Sequence, residues 1–116
     1  MLPRGTFFID LDGTIFKHGT AEFLPGAEEL LNTVKEKNYR IIFMTRRGDI
    51  EWEGHPVYGK AATDKALKKL GLGDSTIVYD VMSPRHFLDD SQLVPHQVET
   101  NTGYSHEVLE KWRESI

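Results

Sequence analysis

The stretch FFIDLDGTIF, residues 7–16, decides the fold. Phe7 to Leu11 is a short apolar run bounded by Gly5 and Gly13, the pattern of a buried strand. Asp10 and Asp12 interrupt that run two positions apart, just ahead of Gly13. On an extended chain, side chains at this spacing share one face. To give the two carboxylates separate surroundings, the chain has to leave strand geometry after Asp10, which Gly13 makes easier.

Working outward, the periodicity alternates between two and three-to-four. Residues 14–25 read as a loop or small flap turning at Gly19, and Pro25 suits the first turn of a helix. Ala27, Leu30, Leu31 and Val34 then repeat at helical spacing, with Glu28, Glu29, Lys35 and Glu36 on the other face. YRIIFMT (39–45) is a near-continuous apolar run, as in a strand covered on both faces. Ala62, Ala66, Leu67 and Leu70 predict a second amphipathic helix with Gly71 as its C-cap. TIVYD (76–80) and HFLDD (86–90) read as further short strands, and Ser105 as the N-cap of a last helix carrying Val108, Leu109 and Trp112. Strands alternating with helices predict an α/β sandwich with a mostly parallel sheet. Parallel neighbours need a crossover of about a dozen residues, and the gap between TIVYD and HFLDD is far shorter. TIVYD is therefore an edge strand, an antiparallel one, or not a strand.

Composition bounds the rest. A chain of 116 residues, 39% hydrophobic and 28% charged, predicts a single globular domain spanning residues 1–116. No apolar run approaches the roughly 18 residues of a membrane span. The start, MLPRGTFFIDLDG, lacks the apolar core of a signal peptide, so the expected location is cytoplasmic. With no cysteine, disulfides, thiolate chemistry and Cys-ligated zinc are excluded. The net charge of −4 argues against non-specific nucleic-acid binding. His18, His55, His86, His96 and His106 are scattered without metal-ligand spacing.

Ligands of open α/β sheets collect at the carboxyl ends of the strands. Three such ends carry polar groups: Asp10 and Asp12; Thr45, Arg46 and Arg47; Asp89 and Asp90. Alone, each has a plain alternative. D-x-D ahead of glycine forms Asx-turns, DD is commonly a surface turn, and TRRG begins loops and helices. At three successive strand ends, coincidence is a poor explanation. Gathered carboxylates raise one another's pKa or take a cation, and hard oxygen donors select Mg²⁺.

DLDGT (10–14) resembles the first motif of the haloacid dehalogenase superfamily, IIFMT its second and FLDDS its fourth, in matching order over about residues 6–93. The resemblance implies a Rossmann-like three-layer sandwich. The intervals 13–44 and 46–88 leave no room for a cap domain, as in the small capless phosphatases of that superfamily. It implies a Mg²⁺-dependent phosphomonoester hydrolase working through an aspartyl-phosphate. Asp10 would be the nucleophile and Asp12 the general acid–base. Thr45, helped by a backbone N–H near Arg46, would bind the phosphoryl group, and the Asp10 carboxylate, the Asp12 carbonyl and Asp89, with Asp90 close behind, would hold the metal.

The departure is the third-motif lysine. SPRHFLDD has Ser83 where it would stand, leaving Lys60, Lys65 and Arg85 as candidates; Lys60, near a helix start, is the expected phosphate ligand. An open site suits a phosphorylated small molecule or a macromolecular phosphate end, and is compatible with a homo-oligomer covering the cleft. Residues 94–116 either pack in such an assembly or close the sheet. The loop GDIEWEGHPVYG (48–59) is either a specificity loop or a segment anchored by Trp52 and Tyr58. Two other functions fit the same residues: a non-catalytic phosphate- or partner-binding module, and a phosphotransferase.

Overall fold

Along the first strand, Phe7 and Ile9 point to one side, while Thr6, Phe8 and Asp10 point to the other, and the two faces meet different surroundings. The structure, a computed structural model, describes residues 2–48 and 59–116. Strands β1 (Thr6–Asp10), β2 (Arg40–Met44) and β3 (Thr76–Val78) form a parallel sheet in the order β1-β2-β3. In its register Phe8 lies opposite Ile42 and Asp10 opposite Met44, with Met44 in turn opposite Val78. Of TIVYD, residues 76–78 form a parallel strand at the edge of this sheet, and Tyr79 and Asp80 lie beyond it.

Helix α1 (Ala27–Glu36) buries Ala27, Leu30, Leu31 and Val34, the predicted stripe, and carries Glu28 and Glu29 in its first turn, where carboxylates complement the helix dipole. Its first residue is Ala27, two positions after the Pro25 expected in the first turn. Pro25 lies just outside, and Gly26 caps the helix at φ 78°. The left-handed glycine is required there, because a Cβ at Gly26 would collide with the Tyr104 carbonyl oxygen. Helix α2 (Lys60–Lys68) buries Thr63 and Leu67 and is followed by Gly71 at φ 73°; the Leu72 amide donates to the Leu67 carbonyl at 3.0 Å. Helix α3 (His106–Ser115) is capped by Ser105, whose Oγ accepts from the Val108 amide. Leu109 and Trp112 face inward, whereas Val108 is exposed.

The core lies where Ile9, Leu11, Ile41 and Phe43 meet Leu30, Leu31 and Val34 of α1, Leu67 of α2 and Leu109 of α3. Right-handed β1-α1-β2 and β2-α2-β3 crossovers advancing in one direction place both helices on the same face. Glu28 and Leu31 of α1 accordingly share a cleft with Leu70 and Leu72 just beyond α2. On the opposite face Phe8 is 50% and Val78 45% exposed, with Ile42 and Met44 half-buried. There, among the described residues, the outer layer is irregular chain rather than helix. Phe87 meets Phe8 at a centroid distance of 5.8 Å. Further along, His96 stacks on Phe7 beside Trp112, so the chain passes around β1 from one face to the other.

HFLDD corrects an expectation: residues 86–90 are not a strand. The few residues after β3 cannot return the chain to the start of the sheet for parallel pairing. No helix among the described residues is long and apolar enough to cross a membrane.

Candidate active site

Asp10 closes β1 opposite Met44, the residue before Thr45 on the neighbouring strand, and so stands at the carboxyl edge of the sheet. Its Oδ2 accepts from Thr14 Oγ1 at 3.1 Å and its Oδ1 from Arg85 Nη1 at 3.0 Å. Arg85 comes from the irregular run beyond β3. Its Nη2 donates to the Val81 carbonyl, and its buried Nε has no hydrogen-bond partner among the described residues. Of the three candidate cations, Arg85 is the one whose guanidinium reaches Asp10. Lys60 instead places its Nζ over the Tyr79 ring, 5.4 Å from the centroid, and Lys65 is exposed on α2.

After Asp10 the chain leaves β geometry, as Gly13 at φ 84° permits, and Asp12 looks toward a different set of partners. The segment 15–24 folds back as a small flap, with Phe16 bridging to Asp12 and to Phe23. Asp12 Oδ1 accepts from Arg47 Nη2 at 2.7 Å and from the Gly19 amide at 3.0 Å, and Oδ2 accepts from Arg47 Nε at 2.9 Å. Burial pushes the Asp12 carboxyl up, but the Arg47 hydrogen bonds, the Gly19 amide and the Arg47 charge outweigh it and hold the group below its ordinary value.

Arg47 is the largest fully buried side chain of the described residues. Its guanidinium also donates to the Thr20 carbonyl and to Thr63 Oγ1 and lies over the Phe16 ring. One arginine thus ties the end of β2 to the flap and to α2. The sequence places Arg47 with Thr45 and Arg46 after the second strand. Its partners lie 16 to 35 positions away, so no local periodicity announces them.

Thr45 is fully buried, its amide on the Val78 carbonyl and its Oγ1 accepting from the Arg47 amide, while the neighbouring Arg46 is exposed. Asp89 and Asp90 are exposed, and Asp89 Oδ1 accepts from the Ser91 amide in a local turn. Among the described residues no group of three or more acidic or histidine side chains is placed to hold a metal ion. The Asp10 carboxylate is turned to Thr14 and Arg85, that of Asp12 to Arg47 and Gly19, and that of Asp89 to its own turn. Most of the loop 48–59 lies outside the described residues.

Tyr104 and Asn101 also escaped the sequence reading. Tyr104 Oη donates to the Thr14 carbonyl at 2.9 Å; burial, reinforced by the Asp10 charge, pushes the phenol up to about 12, so it stays a donor. The Asn101 amide donates to the Gly13 carbonyl, and Asn101 Oδ1 accepts from the His18 amide.

The chain is 35% identical over 80 residues to the sugar-phosphatase AraL of Bacillus subtilis (strain 168). The match covers 69% of this chain and 25% of that protein, so the chain spans about a quarter of the relative's length. No family model and no solved structure matches the sequence.

Proposed function

We propose that the chain is a phosphomonoester hydrolase of the haloacid dehalogenase type, with Asp10 as nucleophile. The observation that carries this reading is the Arg85–Asp10 pair at the carboxyl edge of the sheet. A carboxylate attacking a phosphate dianion meets charge repulsion, and a guanidinium against that carboxylate offsets it at the point of reaction. The DLDGT motif and the similarity to part of a sugar phosphatase support the same reading.

In the proposed reaction, Asp10 Oδ bonds to phosphorus as the ester oxygen departs with a proton from the protonated form of Asp12, which the second half regenerates. Water then attacks the aspartyl-phosphate, releasing inorganic phosphate and restoring Asp10. Asp12 is the proposed proton carrier. Arg47 and Gly19 favour its ionised form, which suits the second half, where the attacking water gives up a proton. The superfamily resemblance implies Mg²⁺, which would supply charge stabilisation. The Asp10 carboxylate, the Asp12 carbonyl and Asp89, with Asp90 close behind, are the groups that would hold it. The proposed substrate is a phosphorylated sugar or similar metabolite.

A second reading, phosphate binding without turnover, is favoured by the same dispersed carboxylates and by the full engagement of Asp12. Phosphate release from p-nitrophenyl phosphate, with and without Mg²⁺, tests both. Wild-type release no faster than that of Asp10→Asn would sink the hydrolase. Tight binding of vanadate without turnover would replace it with the binding module, and turnover rising steeply with added alcohols would point to phosphoryl transfer.

A further inference from the structure

The loop that presents Asp10 is held from the far end of the chain. Within the loop, the Thr14, Ile15 and Phe16 amides all donate to the Leu11 carbonyl, while the Gly13 and Thr14 carbonyls take donors from elsewhere in the chain. Residues 101–104 supply them. The Asn101 amide takes the Gly13 carbonyl at 2.9 Å and Tyr104 Oη the Thr14 carbonyl at 2.9 Å, while Asn101 Oδ1 receives the His18 amide at 2.7 Å. The approach is close: a Cβ on Gly13 would overlap Thr100 Oγ1. Tyr104 is in turn fixed by its amide on the Pro25 carbonyl and by burial in the core at 7% exposure.

We propose that Tyr104 is a positioning residue for Asp10, acting through Thr14. The inference rests on the hydrolase reading above and names what aims its nucleophile. Tyr104 pins the Thr14 main chain, and Thr14 Oγ1 pins Asp10 Oδ2, so the rotamer of the attacking carboxylate is set by a residue 94 positions away in the sequence. Arg85 holds the other oxygen, which leaves the carboxylate clamped from two sides. Near-attack geometry tolerates little misplacement, and an error of about 1 Å can cost ~10²-fold in rate.

The test is a double-mutant cycle on the full chain with Tyr104→Phe and Thr14→Val, assayed on p-nitrophenyl phosphate alongside Asp10→Asn. Tyr104→Phe keeps the buried ring and removes the donor. It is expected to lower kcat about ten-fold with KM little changed in the wild-type background, and less than about two-fold when Thr14 is already Val. Thr14→Ser, which keeps the hydroxyl, restores the full Tyr104 effect. A second readout needs no turnover: the side-chain carboxyl ¹³C resonance of Asp10 moves in both Tyr104→Phe and Thr14→Val.

Wild-type hydrolysis no faster than Asp10→Asn overturns the hydrolase reading, and the Asp10 resonance then still decides the brace. Equal Tyr104→Phe effects in the two Thr14 backgrounds, or an Asp10 resonance that stays at its wild-type position, overturn the brace itself.

Discussion

Arg47 grips Asp12 by two parallel hydrogen bonds, Nη2 to Oδ1 at 2.7 Å and Nε to Oδ2 at 2.9 Å, in a pair whose arginine is wholly buried and whose aspartate side chain is 12% exposed. Fork-to-carboxylate geometry of this kind is the strong form of an ion pair. Removing one member leaves the other charge poorly solvated.

Arg47→Ala is therefore expected to cost about 3–5 kcal/mol, read from urea unfolding. Arg47→Lys keeps the charge but loses the planar fork and should recover less than half of that loss. A cost below about 1 kcal/mol for the alanine variant would show that the pair adds nothing to stability.

The same pair gives an acid-side signature. Asp12 titrates below its ordinary value of 3.8 in the folded chain, so its contribution is present above the unfolded pKa and disappears as pH falls through the folded one. Stability measured between about pH 5 and pH 2 should fall more steeply for the wild type than for Asp12→Asn. Parallel curves would argue against it.

At the alkaline end the sign reverses. Tyr104 is raised from 10.0 to about 12, so the folded chain keeps a proton that the unfolded chain gives up. Its contribution is complete below pH 10 and is lost as pH rises toward 12. Tyr104→Phe should flatten this part of the wild-type profile, as a difference between two denaturation series at each pH.

The two faces of the sheet should respond unequally to truncation. Phe43 is fully buried and Phe8 half-exposed, although they sit on adjacent strands. Phe43→Ala is expected to cost about 3–5 kcal/mol by lost burial and cavity formation, and Phe8→Ala no more than about 1–2. Similar losses at both sites would mean that Phe8 is covered in solution.

Within the proposed hydrolase, the cations near the site should separate by an order of magnitude. Arg85→Ala is expected to lower kcat/KM by about 10²-fold, in the range of losing one preorganised charge donor, with Arg85→Lys intermediate. Lys60→Ala, whose side chain lies over Tyr79, should stay within about two-fold. The reverse order in steady-state assays would return the role to Lys60.

What the chain alone determined is whatever depends on neighbours in sequence. The apolar runs around Phe7–Leu11 and 39–45, the three-to-four spacing of Ala27, Leu30, Leu31 and Val34, the Ser105 cap and the Gly71 stop were all readable, because propensity, capping and one buried face are local properties. So was the placement of Asp10 and Thr45 at adjacent strand ends, which follows from parallel pairing. HFLDD shows the limit of that reading: its five residues suit a strand, yet they run as irregular chain past β1, Phe87 against Phe8, without pairing to it. The tertiary structure alone decided which charges meet. Asp12 pairs with Arg47 across 35 positions, Asp10 with Arg85 across 75, and Thr14 with Tyr104 across 90. Nothing in the local pattern of an arginine or a tyrosine specifies its partner at such separations. Packing of the flap, the run beyond β3 and the 101–104 turn around one sheet edge brings those groups within hydrogen-bonding distance.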